Sequence, residues 1–167
     1  MAINYLKKEL FELVKVNGDI FQFLQNGVLD GIWYLDVENP EEEWMCPRFK
    51  KTFGYEDSEI ENNSRWWQDN IHPEDLPIAL ENFNKHCEDE NYSYDQVVRY
   101  FHKNGTIVWI RSRGIGIRND SGKVIRMLGA HIDLTELKIR EKNLLRTQQD
   151  KIAGKLAAGI SHEVNNK

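Results

Sequence analysis

The chain ends on Leu156-Ala-Ala-Gly-Ile-Ser-His-Glu-Val-Asn-Asn166 and one lysine. Wound as a helix at about 100° per residue, this stretch gathers Ile152, Ala153, Leu156, Ala157, Ile160 and Val164 on one side. His162 then falls roughly 200° round from Ile160, with Asn166 one turn further on the same side. Neutral imidazole is a competent nucleophile at neutral pH, and an exposed one is what in-line attack on a nucleotide phosphate requires. Glu163 could hold the ring or take its proton, and Asn166 could orient a water against an acyl-phosphate on a partner protein. The plain reading is a solvated histidine on an amphipathic helix, and only the neighbouring residues separate the two.

A helix bearing such a residue needs a domain to carry it. The sequence has 167 residues, enough for one compact domain with extensions. A formal charge of −5 without a long basic block argues against nucleic acid as a partner. No stretch approaches the roughly 20 apolar residues of a membrane span, and the start, Met1-Ala2-Ile3-Asn4-Tyr5, does not read as a signal peptide. Cys46 and Cys87 lie far apart without metal-binding spacing, which suits a reducing cytoplasm and gives no metal site.

Leu6, Leu10, Leu13, Val14, Phe21 and Leu24 recur at helical spacing, with Gly18 as a weak point. Gly31 to Val37 reads as a strand, and Glu43 to Cys46 as its returning partner. Pro47, Gly54, Pro73 and Pro77 then break a helical stretch into short pieces. Pro73 is expected to open the longest of them, with Leu76, Leu80 and Phe83 on one face and Glu74 and Asp75 in the first turn. From Ser93 the period becomes two. Asn104-Gly105 marks a hairpin, Asn119-Asp120-Ser121-Gly122 another turn, and strands cover Tyr94–Phe101, Ile107–Ile117 and Val124–Ile132. The implied fold is α+β: a five-stranded antiparallel sheet with helices on one face, an N-terminal helix and a C-terminal helix.

That order resembles the PAS family. The residues that carry the likeness are Phe53-Gly54-Tyr55, Ile71-His72-Pro73-Glu74-Asp75, Arg99 to Gly105, Trp109-Ile-Arg111 and Gly129-Ala-His-Ile-Asp-Leu-Thr135. The resemblance implies a sensor domain over residues 28–135 that binds a small ligand or only a partner surface. Flavin photoreceptors of the family carry a cysteine where this chain has Ser64-Arg-Trp-Trp-Gln68, and Cys46-Pro-Arg-Phe49 reads as lying on the second strand, so flavin–cysteine chemistry is not expected. His72 and His86 stand near the ends of the long helix, where haem relatives place an iron ligand, but each reads more simply as a surface residue. Trp66, Trp67, Trp109, Phe49 and Phe53 read as core or as the lining of a ligand cavity.

Ser-His-Glu-Val-Asn-Asn resembles the phospho-acceptor box of histidine kinases, although Lys167 stands where that family usually has proline. The two likenesses together imply the sensory input region of a two-component kinase: an N-terminal extension at 1–27, the PAS domain, a linker helix at 136–150 and a phospho-acceptor helix at 151–167. Asp133-Leu134-Thr135 is the signal junction, with Asp133 or Thr135 as the cap and Glu136 completing a capping box. Leu137, Leu144 and Leu145 form a narrow apolar stripe among charges, suited to a coiled coil in a homodimer. The resemblance implies no cofactor in this fragment, ATP and Mg in a full-length kinase, and partners comprising its own ATP-binding domain, a response regulator receiver domain and an unidentified small ligand. This stretch alone is then expected to be catalytically inert. The other reading is a non-catalytic dimerising module that serves some different output.

Overall fold

A computed structural model describes residues 29–165 together with residues 9, 12, 14–19 and 21–22; residues 158–165 are described by their backbone alone. In the N-terminal extension the described positions are helical apart from Asn17, beside the weak point expected at Gly18. Leu6, Leu10, Leu13 and Leu24, and the boundary expected at residues 27–28, lie outside the described residues.

The elements follow in the order β1 (Gly31–Asp36), β2 (Glu43–Met45), α1 (Pro47–Thr52), a 3-10 turn (Asp57–Glu59), α2 (Arg65–Asn70), α3 (Leu76–Glu88), β3 (Tyr94–Phe101), β4 (Ile107–Arg118), β5 (Val124–Asp133) and α4 (Thr135–Asn165). The five strands form one sheet in the order β2-β1-β5-β4-β3, antiparallel throughout. The chain divides after Asp133 into two compact units, the second being α4 and the residues around it.

Alternation along the strands separates the faces. Trp33, Leu35, Met45, Val98, Tyr100, Val108, Ile110 and Met127 are buried, while Tyr34, Trp44, Val97, Ile115 and Leu128 between them are exposed. One inward row runs across the whole sheet: Tyr94 pairs with Gly114, Gly114 with Gly129, Gly129 with Trp33 and Trp33 with Met45. A Cβ on Gly129 would overlap the Trp33 indole, and one on Gly114 would press on Tyr94. The two glycines therefore let the flanking rings lean together, edge to face at 6.1 Å.

Polar clamps fasten the helical segment to this sheet. Asp75 accepts hydrogen bonds from the Arg99 backbone N–H at 2.7 Å and from its guanidinium at 2.5 and 3.0 Å, and Glu74 accepts from the same guanidinium. Ile71 bridges to Tyr100, and the His72 N–H donates to the Arg99 carbonyl. This clamp corrects the expected helix start. Residues 73–75 form a turn held to β3, α3 begins at Leu76, and the two acids serve Arg99 rather than a helix terminus.

The buried face of α3 also differs: Ala79 and His86 are buried, whereas Leu80 is exposed. Cys46 does not continue β2. Pro47 lacks an N–H for the ladder, so the chain turns there, and Cys46 caps α1 with Sγ accepting from the Phe49 N–H. Lys50 is almost fully buried, its ammonium donating to the carbonyls of Asp57 and Ile60 and pairing with the Asp57 carboxylate. Gly54, at φ +83°, sits where any side chain would overlap the His102 ring, and the Phe53 carbonyl accepts from the Lys103 N–H. Phe53-Gly54-Tyr55 thus grips the Asn-Gly hairpin.

Gly129→Ala is expected to destabilise the domain by about 3 kcal/mol, because the added methyl displaces the Trp33 ring from the sheet. Urea unfolding measures this, and a change below about 0.5 kcal/mol would show that the glycine row is dispensable.

Candidate functional site

A cavity of about 30 Å³ lies between the sheet and the helices. That is room for a water molecule or a small head group. Trp33 and Leu35 reach it from β1, Glu43 from β2, Tyr94, Gln96 and Tyr100 from β3, Ser112 from β4 and His131 from β5. Phe49 of α1, Trp67 of α2 and Ala79 and Phe83 of α3 close it from the other side.

The lining is mostly aromatic, yet two polar atoms are left over. Glu43 Oε2 and His131 Nδ1 are buried without a hydrogen-bond partner. Each such atom costs about 1–3 kcal/mol. Burial pushes the Glu43 carboxyl up to about 8, although a hydrogen bond with Trp67 opposes the shift. Burial alone holds the His131 ring down at about 3, and its face stacks on Phe49 at 4.7 Å. At neutral pH the site therefore presents a protonated acid and a neutral imidazole. Tyr94 is pushed up to about 12 by burial, its hydroxyl bonded to Ser112 and accepting from Gln96 at 2.8 Å.

The aromatics singled out from the sequence divide. Phe49 and Trp67 line the cavity. Phe53 and Trp66 pack beside it at 5.2 Å from each other. Trp109 lies on the opposite sheet face, under the Arg99 guanidinium. His86, expected at the surface, is buried with both ring nitrogens engaged: Nδ1 bonds to the Tyr92 carbonyl, and Nε2 accepts from the Gly116 N–H. His72 stacks on Phe101. Neither histidine lines the cavity. Among the described residues no group of three or more His, Cys, Asp or Glu could hold a metal ion, and no helix is long and apolar enough to cross a membrane.

The groups that sequence reasoning missed are Glu43, His131 and Asp30. Strand alternation carried a signal for two of them, since Glu43 shares the inward side with Met45, and His131 shares it with Met127 and Gly129. Asp30 latches the two ends of the domain. One carboxylate oxygen accepts from the Asp133 N–H at 2.8 Å, the other from Arg48 at 3.2 Å, and its carbonyl accepts from the Thr52 hydroxyl.

Asp133 closes β5 and Thr135 opens α4, with Leu134 between them, its carbonyl accepting the first helical bond from the Lys138 N–H. Along α4, Glu136 pairs with Arg140 and Lys138 with Glu141, while Leu137, Leu144, Leu145, Ile152 and Leu156 are exposed. The backbone of His162 and Glu163 is helical, but their side chains lie outside the described residues, as does Asn166 entirely.

The Glu43 shift has a sign that stability measurements read. Between about 4.5 and 8 the folded chain holds a proton that the unfolded chain has lost, so this contribution is full below that window and is lost as pH rises through it. His131 acts oppositely between about 3 and 6.5. Glu43→Gln removes only the first effect, so wild-type stability minus variant stability is expected to fall with pH across the Glu43 window by about 1 kcal/mol per unit. Urea titrations at several pH values measure it, and a flat difference would show that Glu43 ionises normally in the fold.

Residues 43–131 match the family described as PAS fold. The matched stretch begins and ends on the two unpartnered cavity residues. A sensory box histidine kinase/response regulator from Burkholderia thailandensis E264 is 31% identical, with a TM-score of 0.66 over 79% of this chain and 96% of that one. The N-terminal domain of a diguanylate cyclase with a PAS/PAC sensor from Marinobacter aquaeolei shares the fold at 23% identity and a TM-score of 0.57, over 65% of this chain and 97% of that one. The methyl sulfide methyltransferase-associated sensor of Methanosarcina acetivorans is 25% identical over 108 residues, 65% of this chain, which spans only 11% of that relative's length. A sheet ordered β2-β1-β5-β4-β3, a cavity between it and three helices, and this match across them identify the chain as a member of the PAS family, a sensor domain homologous to those of signal-transduction proteins.

Proposed function

We propose that this chain is the sensory input region of a two-component histidine kinase, which passes a state of the PAS cavity through α4 to the phospho-acceptor His162. The observation that carries the reading is that β5, one wall of the cavity, hands over within one residue to a 31-residue helix whose last turns bear Ser161-His162-Glu163. A kinase sensor in the similar Burkholderia protein supports it. In the full protein, residues 1–27 form an N-terminal extension, 28–135 the sensor, 136–150 the linker helix and 151–167 the acceptor helix.

The His162 ring nitrogen attacks the γ-phosphorus of Mg-bound ATP held by a separate ATP-binding domain. An N–P bond forms, the bond to ADP breaks, and the ring proton passes to Glu163 or water. A carboxylate on a response regulator receiver domain then takes the phosphoryl group, and Asn166 orients water for its later hydrolysis. The work is cytoplasmic, where ATP is available, and needs no cofactor in this region. Two copies pair through α4, whose exposed leucines are otherwise left in water.

The chain alone is expected not to label itself with ATP, and to become labelled at His162 when the ATP-binding domain is supplied separately. His162→Gln should abolish the label; label that persists in this variant, or that appears on His72 or His86, would overturn the assignment and favour a non-catalytic module.

Dimerisation is tested separately. Each buried leucine side chain contributes roughly 1.5–3 kcal/mol, so Leu144→Glu with Leu145→Glu should give a monomer whose sensor domain still unfolds cooperatively. Sedimentation of this variant and of a chain starting at Val28 decides it: a dimeric double variant beside a monomeric shortened chain would assign the interface to the N-terminal extension.

A further inference from the structure

Glu43 and His131 approach one cavity from opposite sides of β1, and each keeps a polar atom without a partner there. Both side chains are more than nine-tenths buried, at 5% and 3% exposure. The other titratable groups that face Glu43 are Tyr94 and Tyr100, both from β3. The remaining elements contribute aromatic and aliphatic side chains and the Ser112 hydroxyl, and no Lys or Arg lines the cavity. The acid therefore has no counter-ion of its own. Around it stand the rings of Trp33, Phe49, Trp67 and Phe83, whose π-systems attract positive charge at their faces and repel negative charge.

An anion would meet a carboxyl group and π-electrons, and nothing would compensate its lost hydration. A neutral polar molecule would satisfy hydrogen bonds but gain little from the rings. A cation gains from both. We propose that this cavity binds a small organic ammonium ion, of about the size of methylammonium, with Glu43 as its counter-ion, the aromatic rings as its walls and His131 Nδ1 as the acceptor of one of its N–H groups.

The step balances in protons. Glu43 carries a proton when the cavity is unfilled, its carboxyl pushed up to about 8 by burial. Binding an ammonium ion ionises it, so one proton leaves to solvent for each ion bound. Affinity therefore rises about tenfold per pH unit below that value and levels above it. Tyr94 and Tyr100 stay protonated across this range, both raised by burial, and His131 stays neutral, so the pH dependence belongs to Glu43.

The test uses the full chain with methylammonium chloride, against sodium chloride, acetamide, sodium acetate and trimethylammonium chloride. The readouts are the indole N–H resonances of Trp33 and Trp67 and the proton release measured by calorimetry in two buffers. Methylammonium is expected to shift both resonances saturably, to release one proton and to bind about tenfold more tightly per pH unit. Trimethylammonium is expected to bind less well, because the cavity is small. Glu43→Gln, which keeps the side-chain volume, should weaken methylammonium at least about tenfold while urea unfolding stays cooperative. His131→Phe should weaken it less and leave the proton release intact.

Equal binding of acetamide, undiminished binding in Glu43→Gln, or no saturable shift with methylammonium would each overturn the proposal. If Glu43→Gln fails to fold, the wild-type pH series still decides it, since pH-independent binding contradicts an acid that must ionise. The inference rests on the sensor cavity alone. Failure to label His162 leaves it standing, and failure to bind methylammonium leaves the kinase reading standing.

Discussion

Trp33 lies across Gly129 because no side chain stands between the ring and the neighbouring strand, and the inner face of the sheet is arranged around that approach. Gly114 on the next strand extends the gap, and Tyr94 leans in from the far side until the two rings meet. With Met45 beside Trp33, all five strands are tied by this single row. Glycine inside a strand ordinarily weakens it through backbone entropy and lost packing. Here the aromatic rings recover the packing and give the helices an apolar floor to cover.

Covering the floor leaves a space, and its chemistry follows from where β2 and β5 place their inward residues. Glu43 lies two pairs along from the aromatic row on one side, opposite Leu35, and His131 lies opposite Gly31 on the other. Neither position is near a fixed cation, so burial governs both and drives each towards its neutral form. Elsewhere the fold handles charge differently. Lys50 is equally buried, but two carbonyls and the Asp57 carboxylate satisfy its ammonium, and Asp75 is held below the usual carboxylate range by its hydrogen bonds from Arg99. The contrast singles out the cavity. Polar groups that hold the structure together are paired, whereas two of those that line the cavity, Glu43 and His131, each keep one atom without a partner.

Much of this was legible in the sequence, and most of what was not depends on residues far apart in the chain. Strand periods, the Asn-Gly hairpin and the order of elements come from neighbours in the chain, and the observed strands fall where those local patterns put them. The start of α3 does not, because Asp75 answers to Arg99, 24 residues away. Burial of His86 depends on Gly116, 30 residues on, whose N–H it accepts. The Cys46 cap is local, yet a thiol accepting a backbone N–H looks in sequence like any apolar residue at a strand end. The cavity was legible only as a set of aromatics, of which Trp109 belonged to the other face. Its polar pair lies 88 positions apart in the chain (131 − 43), and only the assembled sheet, with β1 between β2 and β5, brings the two together.

β5 connects these features to the rest of the chain. Gly129, His131 and Asp133 occupy alternate positions along it, so the residue under Trp33, the imidazole with its unpartnered Nδ1 and the last residue of β5 stand in one line. Asp30 secures the end of that line by accepting the Asp133 N–H, and its own N–H donates to the His131 carbonyl. A ligand can bias a conformational equilibrium only by as much as its affinities for the two states differ. Glu43 would supply such a difference, because burial keeps it protonated until a positive charge beside it offsets the desolvation of its carboxylate. Any state of β2 and β5 that brings Glu43 and His131 closer to a bound ion gains from it, whereas a state that parts them does not. The unpaired atoms thus weaken the domain, and an ion bound as proposed would favour whichever arrangement of the strand leading into α4 partners them best.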